Sequence, residues 1–158
     1  LAGAVIATGM VSNAAYAATE QAQATVDVLA AVAITVDAPL DFGVVAASAT
    51  GGTVTIGASA AATAAGTGVI AISGSSAGRF HVSQATNGET IDLTVGNPSS
   101  LTGPGAPIAL SGLGLSTSSI VYGSTTPETV YVGGTISLNP NQTAGAYTGT
   151  FDVTAEYQ

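Results

Sequence analysis

A long alternation of apolar and other residues near the N-terminus constrains the fold of this chain more than any other feature. From Thr25 to Asp37, every even position carries Val, Ala or Ile, and Thr or Asp occupies most of the odd positions outside the Leu29–Ala33 stretch. A period of two places alternate side chains on opposite faces of an extended backbone. The pattern therefore predicts β-structure, and it runs well beyond the roughly 5–6 residues of a typical strand.

The composition extends this prediction to the whole chain. Thr and Val suit pleated strands, the 21 glycines suit tight turns, and the strong helix formers Lys, Arg, Glu and Gln are scarce. A chain of 158 residues is long enough for one domain with a hydrophobic core. We therefore expect a single all-β domain.

Short strands are predicted between turn signals along the rest of the chain. They are Thr53–Ile56, Val69–Ser73, Arg79–Gln84, Thr90–Val95, Ile108–Leu110, Ser119–Tyr122, Glu128–Val132, Thr135–Leu138 and Gly145–Tyr157. Asn87-Gly88 and Gly133-Gly134 predict hairpins, and the Ala-rich segment Ala58–Gly68 predicts a loop. Many short strands at this spacing are typical of a sandwich.

The charge distribution excludes several classes of function. The net charge is −8, Arg79 is the single basic residue besides His81, and the chain has no Lys and no Cys. Nucleic-acid binding requires clustered Lys and Arg, and an anionic membrane surface repels such a chain. Schiff-base chemistry requires Lys, and thiolate sites and disulfides require Cys.

No motif in the sequence predicts catalysis, a metal or a cofactor. His81 lies in an alternating segment in which Phe80 and Val82 are expected to point inward, which leaves Arg79 and His81 facing solvent. A Ser–His–Asp triad on His81 is formally possible, but no G-x-S-x-G nucleophile motif occurs. The acidic residues are scattered and form no EF-hand. We expect a protein that is not an enzyme.

The N-terminal segment has the character of an export signal. Residues 1–17 carry no charge and close with Ala15-Tyr16-Ala17, an A-x-A cleavage pattern. They are interpreted as the remnant of a signal peptide or, alternatively, as an N-terminal arm. An exported, extracellular protein is expected on the first interpretation.

Two explanations account for the length of the alternating segment. It is either one long first strand that bends between two sheets, or a strand with two roles. In the second case residues 18–29 leave the domain to complete a neighbouring subunit's sheet, and the sandwich comprises residues 30–158. Such β-augmentation combines main-chain hydrogen bonds with side chains that fill an apolar groove. Repeated head-to-tail, it produces an open fibre.

Both ends of the sandwich resemble a known family. The segment Asp37–Val44 contains Leu-Asp-Phe-Gly, and the segment Ala144–Tyr157 contains A-G-x-Y followed by an alternating stretch. Both segments resemble those of archaic chaperone–usher pilins, the spore-coat-U-like family. They resemble still more closely a related family of Gly/Thr/Ala-rich secreted proteobacterial domains. Archaic pilins carry a Cys pair near the first strand, which this chain does not have.

The resemblance implies a filament subunit. It implies an incomplete immunoglobulin-like antiparallel β-sandwich completed by the donor strand of the next copy, with Val26, Val28, Ala30 and Val32 as the groove-filling residues. Further copies of the chain, a periplasmic chaperone and an outer-membrane usher would be its partners.

One alternative is a monomeric surface module that binds a carbohydrate or protein ligand through Tyr122, Tyr131 and Tyr147. Another is a cross-β amyloid protein, which the 21 Gly and six Pro disfavour.

Overall fold

The computed structural model describes residues 17–123 and 128–158, and within these ranges the chain forms strands and no helix. The predicted signal-peptide remnant, residues 1–17, lies outside the described residues except for Ala17. The strands are β1 (Ala33–Ala38), β2 (Val44–Ala47), β3 (Gly52–Ile56), β4 (Ala65–Thr67), β5 (Val69–Ser73), β6 (Gly78–Gln84), β7 (Thr90–Gly96), β8 (Ala109–Leu115), β9 (Ser119–Val121), β10 (Thr129–Leu138) and β11 (Asp152–Tyr157). The all-β prediction is confirmed.

The strands form three antiparallel sheets. The largest has the order β1-β6-β10-β3-β4, with β8 also paired to β10. The second has the order β11-β7-β9, and the third is the pair β2-β5. This arrangement is consistent with a β-sandwich, because two hydrophobic clusters are enclosed by strands from different sheets.

The first cluster lies between the largest sheet and the β11-β7-β9 sheet. Its buried members come from alternate positions of four strands, namely Phe80, Val82, Ile91, Leu93, Ile120, Val130 and Val132. None of them is more than 5% exposed. The alternation predicted within β6 is confirmed for Phe80 and Val82, which are buried, and for Arg79, which is exposed, whereas His81 is half-buried and not fully in solvent.

The second cluster lies between the other end of the largest sheet and the β2-β5 pair. Its buried members are Phe42, Val54, Ile56, Ala77, Ile108 and Ile136, and half-buried side chains of β2 and β5 pack against them. The two clusters share the long strand β10, which contributes Val130 and Val132 to one and Ile136 to the other.

The predicted bounds of several strands agree with the observed bounds to within one residue, and those of other strands do not. β5 matches its prediction, and β3, β6, β7 and β9 differ from theirs by one residue at an end. β8 continues to Leu115, and β11 begins at Asp152 rather than Gly145. The residues before β11 are held instead by side-chain bonds, including one from the Tyr147 hydroxyl to the Thr143 carbonyl oxygen at 2.8 Å.

Both predicted hairpins are wrong. Gly133-Gly134 lies inside the continuous strand β10, because the missing side chain of Gly133 lets its backbone approach β3: a Cβ there would lie 2.3 Å from the Ile56 carbonyl oxygen. Asn87-Gly88 does form a turn, and Gly88 has a φ of 87°. The flanking strands β6 and β7 nevertheless belong to different sheets. A turn determines the local direction of the chain and not the strand with which the next segment pairs.

Two further segments differ from expectation. The predicted loop Ala58–Gly68 contains a short strand, β4, which pairs with β3. In the N-terminal alternating segment, only Ala33–Ala38 forms a strand, and residues 17–32 have no regular structure. The strand that remains, β1, pairs with β6 at one edge of the largest sheet.

Candidate functional site

The first component of the candidate site is an exposed N-terminal arm, defined here as residues 17–29. All of its residues are exposed, and Val26 and Val28 are 82% and 86% exposed. In an extended chain these valines share one face, with Thr25 and Asp27 on the other. The arm is therefore an amphipathic segment whose apolar face has no partner within the described part of the chain.

The root of the arm is Ala30, which two side chains hold through its backbone. The Ala30 N–H donates to Thr86 Oγ1 at 2.8 Å, and the Tyr157 hydroxyl donates to the Ala30 carbonyl oxygen at 2.6 Å. Two residues further on, Val32 packs against the first core cluster of its own domain. Of the four predicted groove-filling residues, Val26 and Val28 thus lie in the free arm, Ala30 lies at its root, and Val32 belongs to the domain.

The second component is an uncovered flank of the first core cluster. Val36 of β1 pairs in register with Phe80 of β6, so the two side chains lie on the same face of the sheet. Phe80 is 2% exposed, whereas Val36 is 70% exposed. Val36 lies on the face of the sheet that carries the core residue Phe80, but no other part of the described chain covers it.

Strand β11 borders the same cluster from the opposite sheet. Its residues Val153 and Ala155 pack against the cluster and remain half-exposed. Among the described residues, β1 pairs only with β6 and β11 pairs only with β7. Each strand therefore has a free edge at this flank, where an additional strand has backbone groups available for pairing.

The third component is an apolar groove of about 860 Å³ beside strand β2. One wall is formed by residues 40–47 and the other by residues 142–147, and the lining includes the core residues Phe42, Ile108 and Ile136. Val44 on the first wall is 73% exposed. In the described structure, β2 pairs only with β5, so this groove also runs along a free strand edge.

The Leu-Asp-Phe-Gly motif builds the first wall. The Asp41 carboxylate accepts a hydrogen bond from the Gly43 N–H at 2.8 Å, and Leu40 and Phe42 pack into the second cluster. Gly43 has a φ of 71°, and a Cβ there would lie 2.1 Å from the Ser73 carbonyl oxygen. The motif therefore turns the chain out of β1 and seats β2 against β5.

Tyr147 and Gln142 build the second wall. The Tyr147 hydroxyl donates to the Thr143 carbonyl oxygen and accepts a hydrogen bond from Gln142 Nε2 at 2.9 Å. Gln142 Nε2 also donates to the Ala106 carbonyl oxygen at 2.6 Å. These contacts hold the chain before β11 in a compact loop. The prediction of a strand from Gly145 is wrong before Asp152, and this wall was not predicted. Its signal in the sequence is the glycine itself, which adopts a φ of 146° in the structure.

The other candidate residues have structural partners. His81 Nδ1 lies 3.0 and 3.1 Å from the two carboxylate oxygens of Asp37, a contact that joins β6 to β1. Tyr122 packs against the first cluster, whereas Tyr131 and Tyr147 pack against the second, so the three tyrosines do not form one surface.

In the described ranges, His, Asp and Glu side chains form no group of three or more that could hold a metal ion. The same ranges include no helix with the length and hydrophobicity that crossing a membrane requires.

Comparison with known proteins assigns the chain to a family. Residues 32–157 match the family model described as Domain of unknown function (DUF4402). No curated protein and no solved structure matches the chain. Because the matched residues make up well over half of its length, the chain belongs to the DUF4402 family.

Proposed function

We propose that this protein is a structural subunit of an extracellular bacterial filament that polymerises head-to-tail by donor-strand complementation. One observation carries the proposal. The chain combines an exposed arm, whose Val26 and Val28 are 82% and 86% exposed, with an apolar groove of about 860 Å³ at a free strand edge. The arm of one copy would occupy the groove and the uncovered flank of the next, and so complete an immunoglobulin-like sandwich.

The two surfaces have complementary chemistry. An extended arm offers main-chain N–H and C=O groups to the free edges of β2 and β11, and its valines offer apolar volume to the groove. Burying a valine side chain contributes about 1.5–3 kcal/mol, and the arm presents two of them to solvent. The polar face, which carries Thr25 and Asp27, would stay in water.

The positions of root and groove favour a partner in another copy. The root Ala30 contacts Tyr157 at the end of β11, whereas the groove is lined by residues that precede the start of β11. β11 has 6 residues, which span about 20 Å. Val28 and Val26 lie two and four residues from the root and reach at most about 7 Å and about 14 Å from it. We infer that the valines of the arm enter the groove of another copy, and such a heterologous contact propagates as an open fibre.

The proposal includes a location and a set of partners. A filament subunit of this kind is exported and acts at the cell surface, and its main partner is a further copy of itself. A periplasmic chaperone and an outer-membrane usher are proposed as assembly partners, in keeping with the resemblance of Asp37–Val44 and Ala144–Tyr157 to archaic chaperone–usher pilins. The proposed role is structural, and it requires no catalytic residue or cofactor.

The first experiment alters the apolar face of the arm. The chain from Ala18 onward is purified as wild type and as the double variant Val26→Asp/Val28→Asp, and both are examined by size exclusion and electron microscopy. Wild type is expected to form fibres and the variant to remain a folded monomer, because both valines are exposed and contribute little to the domain. Gln21→Asp/Gln23→Asp, which adds the same charge to the polar face, is the matched control and is expected to polymerise.

A mixing experiment tests the direction of assembly. Val44→Asp places a charge on the groove wall at an exposed position and should block acceptance while leaving the arm free. Neither Val44→Asp nor the arm variant should polymerise alone, and a mixture of the two should give dimers and no fibres. Stable wild-type monomers would contradict the proposal and would favour a monomeric surface module. A cross-β diffraction pattern from wild-type fibres would instead indicate amyloid.

A further inference from the structure

We propose that Tyr157 and Thr86 are positioning residues that clamp the arm at Ala30 and so set the end of the segment that can be donated. The clamp is defined as Ala30, Thr86 and Tyr157. Its role in assembly rests on the proposed function of the arm, whereas its existence in the single subunit does not.

The clamp consists of short hydrogen bonds between parts of the chain that are distant in sequence. The Tyr157 hydroxyl donates to the Ala30 carbonyl oxygen at 2.6 Å and accepts from the Thr86 N–H at 2.7 Å. Thr86 Oγ1 accepts from the Ala30 N–H at 2.8 Å and lies 3.2 Å from the Tyr157 hydroxyl oxygen. Two side chains thus bind both backbone polar groups of Ala30, which a neighbouring strand would bind in a sheet.

The clamp coincides with the change from free to packed chain. Residues 17–29, before it, are exposed, and Val32, after it, packs on the core of its own domain. Because alternate residues of an extended chain share a face, an arm that is extended when donated carries Val26 and Val28 on the same face as Ala30. The clamp therefore keeps Ala30 and Val32 with their own subunit and presents Val26 and Val28 to the next.

The clamp also determines which parts of the domain bear a force that is applied to the arm. Without it, the arm would continue directly into β1, which is an edge strand paired only with β6 among the described residues. With it, the arm is tied to β11 and to the turn between β6 and β7, where Thr86 lies. Force along a fibre would then be shared by two sheets, and β1 would not be peeled from the sheet edge alone.

The clamp is tested first by residue-resolved amide hydrogen exchange, with each substitution introduced into the monomeric Val26→Asp/Val28→Asp variant, whose clamp residues are unchanged. Thr86→Val removes the hydroxyl and keeps the β-branched shape, and it should accelerate exchange at Ala30 roughly fivefold, the factor that corresponds to one typical hydrogen bond. Thr86→Ser restores the hydroxyl and should restore protection. Tyr157→Phe should accelerate exchange at the Thr86 amide. Unchanged exchange at both amides in these variants would show that the clamp is wrong.

Fibre stability tests the consequence for assembly. Fibres of Tyr157→Phe should dissociate at a lower denaturant concentration than wild-type fibres. Tyr122→Phe is the matched control, since it removes a hydroxyl bonded to the Ser83 carbonyl oxygen at 3.2 Å in the same cluster and leaves the arm root intact. Equal dissociation midpoints for wild type and Tyr157→Phe would overturn the role in assembly. If wild type forms no fibres, the proposed function fails, and hydrogen exchange still decides whether the clamp exists.

Discussion

At the scale of single residues, two glycines allow backbones to approach each other more closely than any side chain permits. Gly43 turns the chain between β1 and β2 beneath the Ser73 carbonyl, and Gly133 brings β10 against β3. Neither role is visible in the local sequence pattern, because the obstructing atoms belong to segments far along the chain. The apparent turn signal at Gly133-Gly134 is a requirement of packing between strands.

Gly133→Ala is expected to destabilise the domain. The added Cβ would lie 2.3 Å from the Ile56 carbonyl oxygen and 2.7 Å from the Ala58 nitrogen, so β3 or β10 must shift, at a cost of about 1–3 kcal/mol. Urea denaturation measures the loss. Gly114 pairs with Gly133 in register and has no atom within 4 Å of its Cβ position, so Gly114→Ala is the control. Equal stabilities of the two variants would contradict this account of Gly133.

At the scale of secondary-structure elements, the pairing of β7 with β11 contains an unfavourable charge pair. Asp92 and Glu156 are directly opposite in the register of these antiparallel strands. Like charges at directly opposite positions destabilise a sheet. The position is notable because β11 also forms one border of the uncovered flank, so its attachment depends on a single neighbouring strand in the described structure.

Asp92→Asn is expected to stabilise the domain by roughly 0.2–1 kcal/mol at neutral pH, because it removes this repulsion. The gain should shrink in high salt, which screens exposed charges. Thermal and urea unfolding at low and high ionic strength would measure both effects. Asp27→Asn makes the same change of charge in the arm, where no strand lies opposite, and should leave stability unchanged. A gain that is equal for both variants would point to net charge as the cause.

At the scale of the whole molecule, the fold protects its single trypsin site. Arg79 is the one Lys or Arg residue in the sequence. It lies in β6 with strands on both sides, opposite Ala38 of β1 and Tyr131 of β10. A protease needs an extended, accessible segment around the cleaved bond, and this one is hydrogen-bonded within a sheet.

Trypsin is therefore expected to leave the native protein intact and to cleave it once, after Arg79, when the domain unfolds. Cleavage that is slow relative to refolding then reports the population of the open form, and so the free energy of unfolding. Gln23→Arg places a second site in the exposed arm and should be cut at once there under native conditions. If native Arg79 were cut as fast as the arm site, β1 would not be covering that edge of β6.

Much of the fold and part of the candidate site could be predicted from the sequence. Alternation marked the strands β3, β5, β6, β7 and β9, because the inward or outward direction of a strand residue is a local property. It also marked Val26 and Val28 as an apolar face. Alternation did not predict that Val44–Ala47 and residues 142–147 are the walls of a groove. The groove exists because no strand of the described chain pairs with the outer edge of β2, and this depends on the tertiary structure.

What the sequence by itself determined is local: the all-β class and the apolar face of the arm, both of which follow from the alternation of neighbouring residues. What only the tertiary structure decided is non-local. The pairing of β1 with β6, the sheet change across Asn87-Gly88, the groove and the clamp of Ala30 to Tyr157, 127 residues apart, all join distant segments. Backbone hydrogen bonds between strands are nearly independent of side-chain identity, so the choice of partner follows from how the whole chain buries its apolar faces.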